Sequence, residues 1–157
     1  MTKTECSCER CVNACRQNPG WPTPEEASRF VDEGLADKLM LDWLEPCSHV
    51  GNDERIYLLA PASRGCEGDY APEFDFFELL SASMVGGLTK GRCVLLTDDN
   101  KCSVHDHKPV QCRLIFLCDD EDKTAPGNPA SNYSVSRLWR TPEAEALVKR
   151  WRELVEL

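Results

Sequence analysis

The sequence predicts an α+β fold: a small single domain over residues 1–157, with a β-hairpin and several helices around a cysteine cluster. Three observations point there. Two segments, beginning at Thr23 and Thr141, combine a capping residue, a proline and an apolar stripe at helical spacing. The run from Gly91 to His105 sets strand formers on both sides of the turn-forming Asp98-Asp99-Asn100. Ten cysteines, concentrated in residues 6–15 and 93–118, supply a centre for these elements to surround.

Composition narrows the function classes. At 41% hydrophobic residues the chain can bury a core without obligatory staples. A net charge of -9, with no basic cluster to displace counterions, excludes a nucleic-acid surface. No apolar run reaches the ~20 residues a membrane helix needs, and the polar start MTKTECSCER lacks the apolar core of a signal peptide. The expected address is therefore the cytoplasm, where clustered cysteines bind metal more often than they form disulfides.

Along the chain, Cys8-x2-Cys11-x3-Cys15 spaces three sulfurs so that a short loop or helical turn can aim them at one ion or cluster. Crowded thiolates repel, so such a group calls for a cation or a covalent bond. Cys6 falls outside that spacing and reads as a spare thiol. After a turn-rich connector, Thr23 caps a helix with Pro24 in its first turn, Glu26 completes a capping box, and Ala27, Phe30 and Val31 form the apolar stripe. Gly34 stops that helix, and Ala36 to Leu44 is expected as a second short helical segment. Arg55 to Pro61 reads as a buried strand, and Ser63 to Pro72 as loop. Cys47, His49 and Cys66 lie in or beside these loops; Cys47-Ser48-His49 could offer a sulfur and an imidazole to a second ion, but ordinary surface or packing roles are the plainer reading. Phe74, Phe76, Phe77, Leu79 and Leu80 read as a packing cluster, and Ser81 to Gly91 as a flexible approach to the hairpin.

In the hairpin, Cys93 and Cys102 are expected on adjacent strands. Pro109 opens a helix over Val110 to Leu117 that folds Cys112 back toward them. His105 and His107 could ligate, but on the approach to this helix a hydrogen-bonding role is the plainer reading. Asp119 to Asn132 is an acidic connector without apolar residues to bury. A last helix follows Thr141-Pro142, with Ala144, Leu147, Val148, Trp151, Leu154 and Val155 at helical spacing. No acid–base pair, nucleophile motif or phosphate loop accompanies the cysteines.

The order Cys8-x2-Cys11-x3-Cys15-Arg16, Pro19-Gly20, Thr23-Pro24-Glu25-Glu26, Gly91-x-Cys93 to Asp99, Lys101-Cys102-Ser103-Val104-His105 and Lys108-Pro109-x-x-Cys112-Arg113 resembles the CxxCxxCC cysteine-cluster family. This family, also called the YkgJ type, is described as zinc- or iron-chelating. The motifs match over residues 8–34 and 91–116. The resemblance implies that the metal ligands are drawn from Cys8, Cys11, Cys15, Cys93, Cys102 and Cys112, with Arg113 as a helper at the cofactor. The family pattern usually has adjacent cysteines where this chain has Ala14-Cys15, and Cys118 has no counterpart in it. Cys118 is a candidate for the missing sulfur, although six residues beyond Cys112 on a continuous helix it would not share its face.

Four thiolates suit zinc and equally an iron–sulfur cluster. Relatives in the family that methylate flagellin lysines are associated with an iron–sulfur cluster, and this tilts the expectation toward iron. Three functions fit: a metal-stabilised binding or structural module, an iron–sulfur redox or protein-modifying enzyme, and a metal carrier. The module is preferred because the cysteines stand without catalytic company. The expected partners are the metal ion or cluster and, second, another protein, with no nucleic acid and no membrane. The segments 8–15 and 93–112 should converge on one metal site.

Overall fold

The computed structural model of the protein describes residues 8, 9, 12, 15, 19–44, 46, 53–65, 91–99, 101–114, 128, 129 and 131–155. Cys6, Cys11, Cys47, His49, Cys66 and Cys118 lie outside these residues, as do the aromatic run from Phe74, the approach to Gly91 and most of the acidic connector.

The first helix, α1 (Pro24–Asp32), forms as its sequence dictates. Thr23 Oγ1 accepts the Glu26 N–H at 3.2 Å and the Glu26 carboxylate accepts the Thr23 N–H at 2.8 Å, closing the capping box. At the other end Gly34 takes a φ of 82°, a left-handed conformation that costs a glycine little. The Gly34 N–H then reaches Val31 O and the Leu35 N–H reaches Phe30 O, satisfying carbonyls that the helix end would orphan. Ala27, Phe30 and Val31 are buried.

Ala36 to Leu44 departs from the expected helix. Only Ala36–Lys38 makes a 3-10 turn; Leu39–Leu44 is strand β1, paired antiparallel with β2 (Ile56–Pro61) from Leu39↔Pro61 to Leu44↔Ile56. The reason is tertiary. A six-residue run that is apolar but for Asp42 fits a strand or a helix by itself, and here a ready β-partner lies twelve residues on. Helices α1, α3 (Asn132–Arg137) and α4 (Pro142–Val155) pack against this hairpin. Phe30, Leu41, Leu58, Leu59, Val135 and Trp151 fill the space between them, all with almost no exposed surface. Burying such side chains contributes about 1.5–3 kcal/mol each.

Three tryptophans also tie distant segments together through their indole N–H groups. Trp21 donates to Asp42 Oδ2 at 2.9 Å, Trp139 to Pro22 O at 3.0 Å and Trp151 to Ala36 O at 2.9 Å. In α4, Thr141 Oγ1 accepts the Ala144 N–H, and Ala144, Leu147 and Trp151 are buried, as the pattern predicts; Leu154 is the exception at 47% exposed. Helix α3, capped by Ser131 Oγ on the Ser134 N–H, was not expected.

The dominant hairpin is thus β1–β2, and residues 91–105 are arranged differently from the expected pair of strands. The chain leaves β2 through Ala62 into β3 (Ser63–Gly65), read from sequence as loop, and β3 pairs with β4 (Gly91–Cys93), with Ser63 opposite Cys93. Beyond Cys93 the chain turns at once, with the Leu96 N–H on Cys93 O, and only a single bridge, Leu96↔Cys102, remains of the expected ladder. The 3-10 turn His105–His107 and helix α2 (Val110–Leu114) follow. Buried Leu95 and Val104 anchor this turn in the core, which fixes the two cysteines beside them.

Candidate metal centre

Four separate pieces of backbone each deliver one cysteine to the same region. Cys15 has helical backbone, as Glu9 and Val12 do, and the Val12 N–H bonds Cys8 O at 3.0 Å. Cys93 ends β4, Cys102 sits at the isolated bridge, and Cys112 is in α2. Cys8 directly precedes Glu9, and none of these five described cysteines is in a disulfide.

Helix α2 is positioned from two sides. Pro109 is fully buried and precedes the first turn, and the Glu26 carboxylate accepts the Val110 N–H at 2.9 Å. On the other side the segment Pro19-Gly20-Trp21 runs against residues 111–112. The Trp21 N–H donates to Gln111 Oε1 at 2.7 Å, the Gln111 N–H reaches Trp21 O at 3.4 Å, and Gln111 Nε2 donates to Asn132 Oδ1 at 2.7 Å. Gln111 is 5% exposed, so a buried amide is fully employed in joining the N-terminal segment, α2 and α3.

The sulfurs act on one another. Burial pushes the Cys112 thiol well up, and negative charge on Cys15, Cys93 or Cys102 pushes it further, against a hydrogen bond from the Gly20 N–H. Burial likewise raises Cys93 to about 12, with Cys15 and Cys102 adding to it and the N–H groups of Leu95 and Leu96 opposing it. Cys15 is raised by burial and then by Cys102, and Cys102 by burial. The Lys108 ammonium works the other way on both, and the Val104 N–H on Cys102. Backbone N–H groups two and three residues beyond a cysteine, turned onto its sulfur, compensate thiolate charge without a side chain.

As thiols these four are partly buried polarizable groups with little to gain from each other. As thiolates they are a donor set for a soft or borderline cation, which reverses the penalty of burial by supplying the missing positive charge. In donor chemistry, therefore, the residues fit a tetrathiolate centre. Among the described residues, no group of three or more His, Cys, Asp or Glu side chains could hold a metal ion as it stands.

Arg113 and His107 brace the elements around the site. Arg113 pairs with Glu26 and donates to Lys108 O at 3.2 Å, bracing α2. His107 Nε2 lies 2.8 Å from Glu33 Oε2, with its ring 5.7 Å from that of Phe30, so it links its 3-10 turn to the end of α1. Gly20, Glu26 and Gln111 were not expected to serve the site. Gly20 carried a signal only as part of the Pro19-Gly20 motif and Glu26 only for its own helix cap, whereas Gln111 carried none.

No family model, curated protein or solved structure matches the chain. Among the described residues, no helix is long and apolar enough to cross a membrane.

Proposed function

We propose that this chain is a cysteine-ligated metal-binding module of the kind it resembles, in which Cys15, Cys93, Cys102 and Cys112 hold one centre that stabilises the domain. An iron–sulfur cluster is preferred to zinc, on the family resemblance. Cys8, Cys11 and Cys118 are the remaining candidate ligands, and the reducing cytoplasm is the compartment that keeps such thiols available.

One observation carries this reading: four thiols from four segments, the first of them 78 residues before the next, lie within electrostatic reach of each other. Hydrophobic packing alone gives no reason to gather thiols in this way. A metal does, because ligands absent from the unfolded chain turn binding energy into folding energy. The ordering of long intervening loops costs entropy that grows only slowly with their length, so a few metal–thiolate bonds can offset it.

The test is purification without oxygen, followed by the visible spectrum and metal analysis. A brown protein with iron and acid-labile sulfide supports the cluster; a colourless protein with stoichiometric zinc supports the other metal. Protein that carries neither, and takes up neither on reconstitution, refutes the proposal.

A further inference from the structure

We propose that Gly20 is a positioning residue for Cys112: its missing side chain leaves the space in which the Cys112 sulfur sits beside the other thiols. The consequence for metal binding rests on the reading above, but the geometry does not.

A Cβ on Gly20 would lie 2.3 Å from Cys112 Sγ, 3.1 Å from the Cys112 backbone nitrogen and 3.4 Å from Gln111 Cβ. The first contact is impossible without movement. Gly20 has no positive φ, so it is space rather than backbone conformation that demands glycine here. Two things could yield. The backbones are held together by the Trp21–Gln111 pair of hydrogen bonds, one end of which is a buried amide also bonded to Asn132. The sulfur hangs on a single rotatable bond and can turn to another staggered well without moving the backbone. The sulfur is therefore the part that gives way. The N-terminal segment thus brings Cys15 and, through Gly20, also sets where Cys112 points.

The experiment is pulsed alkylation of reduced, chelator-treated full-length protein with iodoacetamide, with each cysteine quantified by mass spectrometry. Gly20→Ala should raise Cys112 labelling roughly five-fold, because the displaced sulfur becomes more accessible to reagent, while Cys93 labelling and helix content stay at wild-type values. Unchanged Cys112 labelling, or Cys112 and Cys93 rising together, overturns the proposal. If Gly20→Ala does not fold, Gly20→Ala/Cys112→Ala should, because the colliding sulfur is gone; failure of the double variant to fold overturns it too.

A second arm uses cobalt(II) as a probe, whose thiolate charge-transfer intensity counts sulfur ligands. Gly20→Ala should lower that intensity by about one quarter, the share of one thiolate in four, and to the same extent as Cys112→Ser. A wild-type intensity in Gly20→Ala overturns the proposal. Absence of cobalt uptake by the wild type refutes the metal reading, while the alkylation ratio still decides Gly20.

Discussion

The Glu26 carboxylate accepts the backbone N–H of Val110 at 2.9 Å while it closes the capping box of its own helix on Thr23. One side chain therefore satisfies orphan donors at the starts of two helices 84 residues apart. Its other oxygen pairs with Arg113, which is about half exposed. Helix α2 carries Cys112, so this contact joins the packing of α1 to the orientation of a candidate ligand.

Glu26→Ala is expected to destabilise the domain by roughly 1–3 kcal/mol in urea denaturation, as two capping interactions are lost together. Arg113→Ala, which removes a solvent-screened partner, should cost less than about 1 kcal/mol. Equal effects would show that the salt bridge, and not the double cap, is what matters.

Much of this was legible from short-range chemistry. Thr23 with Glu26, Gly34, and Thr141 with its apolar stripe are local signals, and the helices formed where those signals lay. Leu39 to Leu44 was not legible, because its strand state depends on pairing with Ile56 to Pro61. The same holds for β3, whose partner β4 is remote in sequence. For the candidate site, the cysteine order was readable, whereas the tight turn after Cys93 was not. Val94 to Thr97 is a good strand sequence, but the Leu96 N–H closes a tight turn on Cys93 O instead of pairing with a neighbouring strand.

Asp42 is 4% exposed and accepts hydrogen bonds from Trp21 Nε1 and from the Trp43 N–H, at 2.9 and 2.8 Å. Asp42→Ala leaves both donors without this acceptor in the interior and should cost roughly 2–4 kcal/mol by chemical denaturation. A loss below about 0.5 kcal/mol would mean that other groups or water replace the carboxylate.

Glu33 gives a pH dependence with a definite sign. Its carboxyl is held below the ordinary value, first by the Arg29 hydrogen bond and then by the hydrogen bond and charge of His107, against a weaker opposing effect of desolvation. A group with a lowered folded value contributes stability that is complete above its unfolded value and is lost as pH falls through the folded one. Stability should accordingly decline on acidification through the carboxylate range, and Glu33→Gln should flatten part of that decline. A variant with an unchanged pH profile would contradict this.

Removing the metal should destabilise the protein. With reductant present, a strong chelator is expected to lower the Tm of the loaded protein by about 10 °C or more, consistent with several kcal/mol of linked binding energy. A Tm that does not move while metal leaves would make the chain a carrier.

X-ray absorption at the metal edge of anaerobically purified or reconstituted protein tests the central claim most directly. The account predicts a shell of sulfur scatterers at ~2.3 Å, four per zinc or, for a cluster, thiolate and sulfide together, and loss of sulfur from that shell in both Cys15→Ser and Cys102→Ser. A shell of nitrogen and oxygen, or a sulfur shell unaltered in either variant, would contradict it.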